Sequence, residues 1–222
     1  MISTKRFAKA VLIVTVMMLT GWITAPGYAI TFPDGCITNN DVSDCSIGDQ
    51  FSVSVTSGPD AGQVTFTFSN SGPEASSITD IYFDDGTLLG IATIIDGSGT
   101  DFEQLASPGD LPGGNPAGFE TTAGFSADSE SPTQPNGVNP GESVAIVFNL
   151  QSGGTLQDVL DELASGELKI GIHVQGYEGG GSESFVCCTD TPPDGSVPES
   201  STLLLLGAGL IAISRFTRKI NS

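Results

Sequence analysis

The stretch FSVSVTSGPDAGQVTFTF, residues 51–68, contains two runs in which every second residue is apolar. Such alternation puts the apolar side chains on one face of a β-strand and the polar side chains on the other. The segment SGPDAG at 57–62, between the runs, combines glycine, proline and aspartate, which favour turns. The stretch therefore predicts a β-hairpin with one buried face.

The same kind of pattern recurs between residues 30 and 189. Strand patterns are present at 78–83, 87–95, 143–150, 168–174 and 184–186. The 87–95 run is apolar on both faces, which predicts a central strand, and the Asp85-Gly86 pair before it favours a tight hairpin turn. Because helix formers are sparse and turn residues frequent, we expect a mainly β fold, an antiparallel, jelly-roll-like β-sandwich of residues 30–189.

Two segments depart from the strand pattern. Thr155 is predicted to cap one short amphipathic helix that ends at Gly166. Its apolar residues recur at helical spacing and are Leu156, Val159, Leu160 and Leu163. Residues 107–141 are rich in proline and glycine and predict a long loop. We expect Phe119 and Phe125 to pack this loop against the sandwich; if exposed, they would instead suit stacking on sugar rings.

The amino-terminal segment has the three parts of a secretory signal peptide. The basic residues at its start are Lys5, Arg6 and Lys9. An apolar run at 10–24 follows, and small residues then lead to a predicted cleavage between Ala29 and Ile30. Residues 1–29 are therefore interpreted as a signal peptide. The small residues at its end disfavour the alternative, an amino-terminal membrane anchor.

The charge distribution restricts the partners of the exported part. All 26 acidic residues lie between Asp34 and Glu199, whereas Lys169 is the one of the 7 lysines and arginines in that range. So acidic a surface repels nucleic acids and anionic lipids and attracts cations. We therefore expect no nucleic-acid partner.

The four cysteines are Cys36, Cys45, Cys187 and Cys188. An even number of cysteines in an exported chain suggests disulfides. Two pairings stay open: each early cysteine joined to a late one, or Cys36–Cys45 together with a bridge between the adjacent Cys187 and Cys188. A zinc site is disfavoured because adjacent cysteines lack the usual ligand spacing, and the single histidine, His173, does not supply it.

Residues 202–222 resemble a short membrane helix with a basic end. The apolar run at 202–214 would reach only about 20 Å as a helix, whereas a bilayer core is about 30 Å thick. The basic residues that follow it are Arg215, Arg218 and Lys219. These residues are expected to stay cytoplasmic, which places the bulk of the chain outside.

The segment 190–201 joins the sandwich to this helix and contains the motif Val197, Pro198 and Glu199. Together with the apolar run and basic end, the motif resembles the PEP-CTERM sorting tail of exosortase substrates. Ser200 stands where that family has a second proline. The resemblance implies cleavage near the motif by an exosortase-type membrane protease and delivery to the envelope or an extracellular polysaccharide matrix.

Catalytic signals are weak. His173 lies on a predicted strand, where it is expected to be a surface residue or to bond a neighbour, and no nucleophile-elbow motif accompanies it. Calcium is a possible ligand of two oxygen-rich loops. Their residues are Asp34, Asn39, Asn40, Asp41 and Asp44 in one loop, and Asp84 and Asp85 in the other.

We therefore predict an exported envelope or matrix protein without enzymatic activity, cofactor or committed metal site. The alternative is a surface module that binds carbohydrate or calcium. A secreted hydrolase that uses His173 is the least favoured interpretation.

Overall fold

The protein is described here by a computed structural model that covers residues 28–84 and 87–188. Within these residues the chain is mainly β, with short helices between the strands. The strands are β1 (Tyr28–Thr31), β2 (Phe51–Ser57), β3 (Gln63–Asn70), β4 (Ser77–Asp84), β5 (Leu88–Asp96), β6 (Phe102–Gln104), β7 (Ser126–Ser129), β8 (Ser143–Leu150), β9 (Lys169–Gln175) and β10 (Ser182–Cys187). The α-helices are α1 (Val42–Cys45), α2 (Thr133–Asn136) and α3 (Leu156–Ser165), and 3₁₀ turns are present at Gly48–Gln50 and Asn115–Ala117.

The strands form two five-stranded antiparallel sheets. Sheet 1 has the order β1-β2-β3-β8-β5, and sheet 2 has the order β10-β9-β4-β7-β6. The hairpin predicted from residues 51–68 is confirmed, because β2 pairs with β3 from Phe51 opposite Asn70 to Ser57 opposite Val64. Sheet 1 is therefore organised around this hairpin.

The two sheets pack face to face around a core of aromatic and aliphatic side chains. Every second residue of β2 and β3 is fully buried, as the alternation predicted. Phe83 of sheet 2 makes edge-to-face contacts with Phe66 and Phe148 of sheet 1, at centroid distances of 5.0 and 4.7 Å. Each such pair contributes about 0.5–1.5 kcal/mol beyond the burial of apolar area. The predicted β-sandwich is confirmed.

The expected hairpin between strands 78–83 and 87–95 is wrong. β4 lies in sheet 2 beside β7 and β9, whereas β5 lies in sheet 1 beside β8. β5 is also an edge strand, not a central one, and Leu89 and Ile95 are 63% and 50% exposed. Two register shifts in its pairing with β8 change which side chains face the core, so apolar residues occur on both faces.

The segment 107–141 is more ordered than the sequence predicted. It contains β7, which lies between β4 and β6 in sheet 2, and the short helix α2. Phe125 joins the main core, and Phe119 packs beside Tyr82 in a smaller cluster on the outer face of sheet 2. Both phenylalanines pack as expected, which leaves neither available for stacking on sugars.

The predicted helix is confirmed as α3. Thr155 caps it and forms a capping box with Asp158, and Gly166 ends it with a left-handed backbone at φ 75°. A residue without Cβ adopts this conformation at little cost. Val159 and Leu163 are buried in the core, so the helix closes part of the sandwich through its apolar face.

Within the described ranges no helix is long and apolar enough to cross a membrane. The predicted leader up to residue 27 and the tail from 189 onward, which contains the sorting motif, the apolar run and the basic end, lie outside those ranges. Ala29 and Ile30, the predicted cleavage residues, both lie in β1, which pairs with β2.

Candidate functional site

One end of the sandwich is built around the segment 35–47, which follows the edge of sheet 2. Two backbone hydrogen bonds join this segment to β10: the Ile37 N–H donates to the Ser184 carbonyl, and the Val186 N–H donates to the Gly35 carbonyl. The disulfide between Cys36 and Cys45 closes the segment into a loop. The loop is therefore tied both to itself and to β10.

A buried carboxylate anchors this loop from beneath. Glu183 of β10 is 1% exposed. It accepts a hydrogen bond from the Thr38 hydroxyl and another, of 2.6 Å, from the Asp41 backbone N–H. Hydrogen bonds to a charged group are stronger than neutral ones, and they satisfy a charge that would be costly to bury alone.

Beside this loop lies a cavity of about 560 Å³, which we call the acidic cavity. Three loops form it: the Cys36–Cys45 loop, the segment between β3 and β4, and the segment between β9 and β10. The lining residues are Asp41, Ser43, Asp44, Ser46, Ile47, Glu74, Ala75, Tyr177, Glu178, Gly179 and Gly180. Its volume lies in the range of small-molecule sites, about 300–1,000 Å³.

The cavity is strongly negative. Two hydrogen bonds from Ser43, of 2.8 Å from its N–H and 2.6 Å from its hydroxyl, lower the pKa of Asp41 and keep it ionised. Burial raises the pKa of Asp44, and the negative charges of Asp41 and Glu183 raise it further. Lys169 is the one lysine or arginine of the described residues, and it pairs with Asp84 at the opposite end of β9. No cationic side chain of the described part therefore neutralises the cavity.

Tyr177 in the cavity wall carries an unused hydrogen-bonding group. The residue is 6% exposed, and its hydroxyl has no hydrogen-bond partner among the described residues. Burial raises its pKa most, followed by the negative charges of Asp44 and Glu183. A buried hydroxyl without a partner is unfavourable by roughly 1–3 kcal/mol, and this one is enclosed by protein beneath the cavity wall.

The structure separates the two oxygen-rich loops that suggested calcium. Asp41 and Asp44 line the acidic cavity, but the Asn40 amide is used to donate to the Ser182 carbonyl. Asp84 lies at the other end of sheet 2, bound to Lys169. Among the described residues, the metal-like grouping is Cys36, Cys45 and Glu183. Its two sulfurs are joined in a disulfide, so they do not offer thiolate ligands.

His173 is buried and not on the free surface. It lies on the outer face of sheet 2, in register with Ser184 on one side and Asp80 on the other. Its Nδ1 is 3.1 Å from the Ser184 hydroxyl, and burial lowers its pKa, opposed by the charge of Glu183. Ser184, His173 and Asp80 thus form a row across three strands that resembles a Ser-His-Asp catalytic triad. Ser184 is fully buried, however, and presents no nucleophile to solvent.

Asp80 continues the same row toward Asp128 of β7, its cross-strand neighbour. Burial, reinforced by the adjacent Asp128 and opposed by a hydrogen bond from Thr79, raises the pKa of Asp80 to about 7. The Tyr82 hydroxyl lies 3.5 Å from Asp80 and donates to the Pro108 carbonyl. The Asp80 carboxyl thus keeps its proton up to about neutral pH.

The cysteine pairing combines parts of the two predicted alternatives. The crossed pairing is wrong, because Cys36 is bonded to Cys45 within its own loop. The adjacent bridge is not formed, and Cys187 and Cys188 carry free thiols. Burial holds the pKa of Cys187 well above its ordinary value, so its thiol stays protonated.

The fold and the site define an antiparallel β-sandwich with an acidic cavity at one end. A comparison with protein families finds no matching family, and a comparison with curated proteins finds no match. One similar solved structure is a chain from a cohesin–dockerin complex. It is 13% identical, and the match covers 61% of this chain and 83% of that chain with a TM-score of 0.24. A TM-score this low carries no argument about function.

Three titratable residues of the cavity were missed by the sequence interpretation: Glu74, Tyr177 and Glu178. The available signal was the sequence Tyr-Glu-Gly-Gly-Gly directly after the strand pattern at 168–174. Nothing in that local pattern indicates which other loop it would meet.

Proposed function

We propose that this chain is an exported, non-enzymatic protein of the cell envelope or extracellular matrix. The sequence feature that carries the proposal is the predicted order of segments: a leader, one sandwich, and a short apolar tail with a basic end. The Cys36–Cys45 disulfide supports it, since structural disulfides persist mainly in oxidising compartments. The chain crosses from one sheet to the other after β3, β4, β5, β7 and β8, which also favours the jelly-roll-like description.

In this proposal the tail acts as a sorting signal. The motif at 197–199 is recognised by an exosortase-type membrane protease while the apolar run is held in the bilayer. Cleavage then releases the sandwich to the surface, where extracellular polysaccharide is the expected surrounding. Because the apolar run is short for a bilayer, its membrane association is more easily ended than that of a full span.

The test compares a motif variant with a matched linker variant in a host that carries such a protease. Pro198→Ala with Glu199→Ala alters the motif, whereas Pro193→Ala with Asp194→Ala makes the same changes in the linker. We expect the motif variant to keep its tail and remain in the membrane fraction, while the linker variant is trimmed like the native chain. Deletion of residues 203–213 should abolish surface delivery.

Mass spectrometry of the surface-released protein decides the outcome. A native chain released with an intact terminus at Ser222 contradicts processing. Unchanged delivery after deletion of residues 203–213 contradicts the sorting role of the tail.

A second candidate function is favoured by the acidic cavity: a surface module that binds a cationic ligand. The carboxylates of the cavity favour it, and among the described residues no lysine or arginine neutralises them. Carbohydrate binding through Phe119 and Phe125 loses its basis, since both rings are buried.

A further inference from the structure

We propose that residues 106–121 form a strap over the outer face of sheet 2, and that this strap detaches more readily when Asp80 at its base loses its proton. The strap belongs to the connection between β6 and β7, which are neighbours at the edge of sheet 2. Its opening would be a property of the sandwich alone, and it depends neither on the sorting tail nor on the acidic cavity.

The backbone of the strap is fastened to the sheet at its two ends. The Leu105 N–H donates to the Ser126 carbonyl at one end, and the Thr122 N–H donates to the Phe83 carbonyl at the other. Within the described part of the chain, the backbone–backbone hydrogen bonds of residues 106–121 join residues of the strap to one another. A segment with few such bonds to the rest of a domain can open locally at a lower free energy than the whole domain unfolds.

Apolar contacts hold the middle of the strap against sheet 2. Leu111 and Phe119 pack with Tyr82 in the small cluster on the outer face. Gly171 of β9 makes room for them, because a Cβ atom there would lie 2.6 Å from the Leu111 Cδ2 atom and 3.0 Å from the Phe119 ring. This cluster is separate from the main core, so its contacts can be lost while the two sheets stay packed.

Polar contacts connect the start of the strap to two aspartates of the sheet. The Asp128 carboxylate accepts a 3.2 Å hydrogen bond from the Ser107 N–H. The Tyr82 hydroxyl donates to the Pro108 carbonyl at 3.0 Å and lies 3.5 Å from the Asp80 carboxyl group. Asp80 is 3% exposed and faces Asp128 across β4 and β7. The buried carboxyl group therefore lies beside the contacts that hold the strap.

Ionisation of Asp80 would place a buried negative charge next to the Asp128 carboxylate. Burial and this neighbour raise the pKa of Asp80 to about 7 while the strap is closed. A detached strap would let water reach the carboxyl group, whose pKa would then return toward its ordinary value of 3.8. The open form binds fewer protons than the closed form between these pH values, so a rising pH favours opening.

The other titratable groups near this carboxyl group either add to the effect or oppose it in a separable way. Asp110 on the strap and Glu103 on β6 are exposed acids that add negative charge. Burial raises the pKa of Tyr82, so its hydroxyl stays protonated. Burial lowers the pKa of His173 on β9, so exposing it would bind a proton and give the opposite pH dependence. A comparison with Asp80→Asn removes this contribution, because both proteins contain the histidine.

The test is amide hydrogen–deuterium exchange of the full-length protein in mild detergent from pH 5 to pH 7, read by mass spectrometry of peptides. Dividing each exchange rate by the intrinsic rate at the same pH gives the equilibrium constant for opening. Peptides from 106–121 report on the strap, and peptides from 51–68 report on unfolding of the whole domain. The control for Asp80→Asn is Asp110→Asn, which removes the same charge from an exposed position of the strap.

We expect the strap to be less protected than the β2–β3 hairpin at every pH. The opening constant of the native strap, relative to that of Asp80→Asn, should rise about 50-fold from pH 5 to pH 7. One released proton gives tenfold per pH unit, and the rise is halved where Asp80 is half ionised in the closed form. Asp110→Asn should keep this rise. Tyr82→Phe lacks the hydrogen bond to Pro108, so its strap should open about two- to tenfold more at pH 5.

A strap as strongly protected as the hairpin at every pH would show that it opens only with the whole domain, which overturns the proposal. A constant ratio between native chain and Asp80→Asn would show that opening does not uncover this carboxyl group, and loss of the rise in Asp110→Asn would assign it to surface charge. If Asp80→Asn does not fold, Asp128→Asn provides the comparison. It removes the neighbouring charge, so the opening constant of the native strap relative to this variant should also rise with pH, by a smaller factor, and a constant ratio contradicts the proposal.

Discussion

The carboxyl group of Asp80 should make the stability of the domain fall as the pH rises from about 4 to about 7. Asp80 is 3% exposed and faces Asp128, Tyr82 and, across the strand pair, His173. Its pKa is raised to about 7 because burial and the neighbouring Asp128 disfavour the charged form. The Asp80→Asn variant resembles the protonated side chain at every pH.

The sign follows from the protons bound in each state. Above about pH 4 an unfolded Asp80 has released its proton, whereas the folded protein keeps it until about pH 7. The folded state therefore binds more protons in this window, and stability is lost as the pH rises through it. A shift from 3.8 to about 7, at 1.36 kcal/mol per unit, corresponds to about 4 kcal/mol.

The assay is urea denaturation of the full chain between pH 4 and pH 8, followed by far-ultraviolet circular dichroism. The single tryptophan, Trp22, lies in the predicted leader and does not report on the sandwich. We expect the difference in unfolding free energy between Asp80→Asn and the native chain to increase by about 4 kcal/mol from pH 4 to pH 8. Because Asp80 releases one proton in this range, the increase should correspond to one proton.

A second variant checks the cause. The Thr79 hydroxyl donates a 2.8 Å hydrogen bond to Asp80 and opposes the rise of its pKa. Thr79→Val should therefore move the fall in stability to higher pH. If the difference in unfolding free energy between Asp80→Asn and the native chain stays constant from pH 4 to pH 8, the raised pKa of Asp80 is wrong.

Two further predictions concern stability. Glu183→Ala removes the buried carboxylate that accepts from Thr38 and Asp41, so we expect a loss of about 3–5 kcal/mol in urea denaturation, and a smaller loss in Glu183→Gln, which keeps one acceptor. Equal losses in both variants would contradict the hydrogen-bonding role. Thr155→Ala removes the side-chain cap of α3 and should lower the free energy of unfolding by about 1 kcal/mol. Thr155→Ser keeps the hydroxyl, so its free energy of unfolding should stay close to that of the native chain. A native-like melting temperature in Thr155→Ala would argue against the capping box.

Local patterns in the sequence predicted most elements correctly. The alternation at 51–68 became the β2–β3 hairpin, and the Thr155 signature became the capped helix α3. Both patterns depend on residues close in the chain, where side-chain period and backbone hydrogen bonding are coupled directly.

The hairpin predicted from residues 78–95 is wrong for a physical reason. The Asp-Gly pair indicates a turn but not the sheet that the chain enters after it. β4 and β5 find partners far away in sequence, β9 and β8, because burying their apolar faces against those strands decides their place. β5 lies at an edge of sheet 1, which its apolar composition did not suggest.

The class of the fold, the hairpin, the helix, the acidic character of the domain and the predictions for leader and tail all follow from the amino-acid sequence. These depend on composition and on short-range periodicity. Tertiary structure alone decided the sheet assignment of β5, the Cys36–Cys45 bond and the acidic cavity. The cavity joins Asp44, Glu74 and Glu178 from three loops, and such loops meet only after the two sheets have packed.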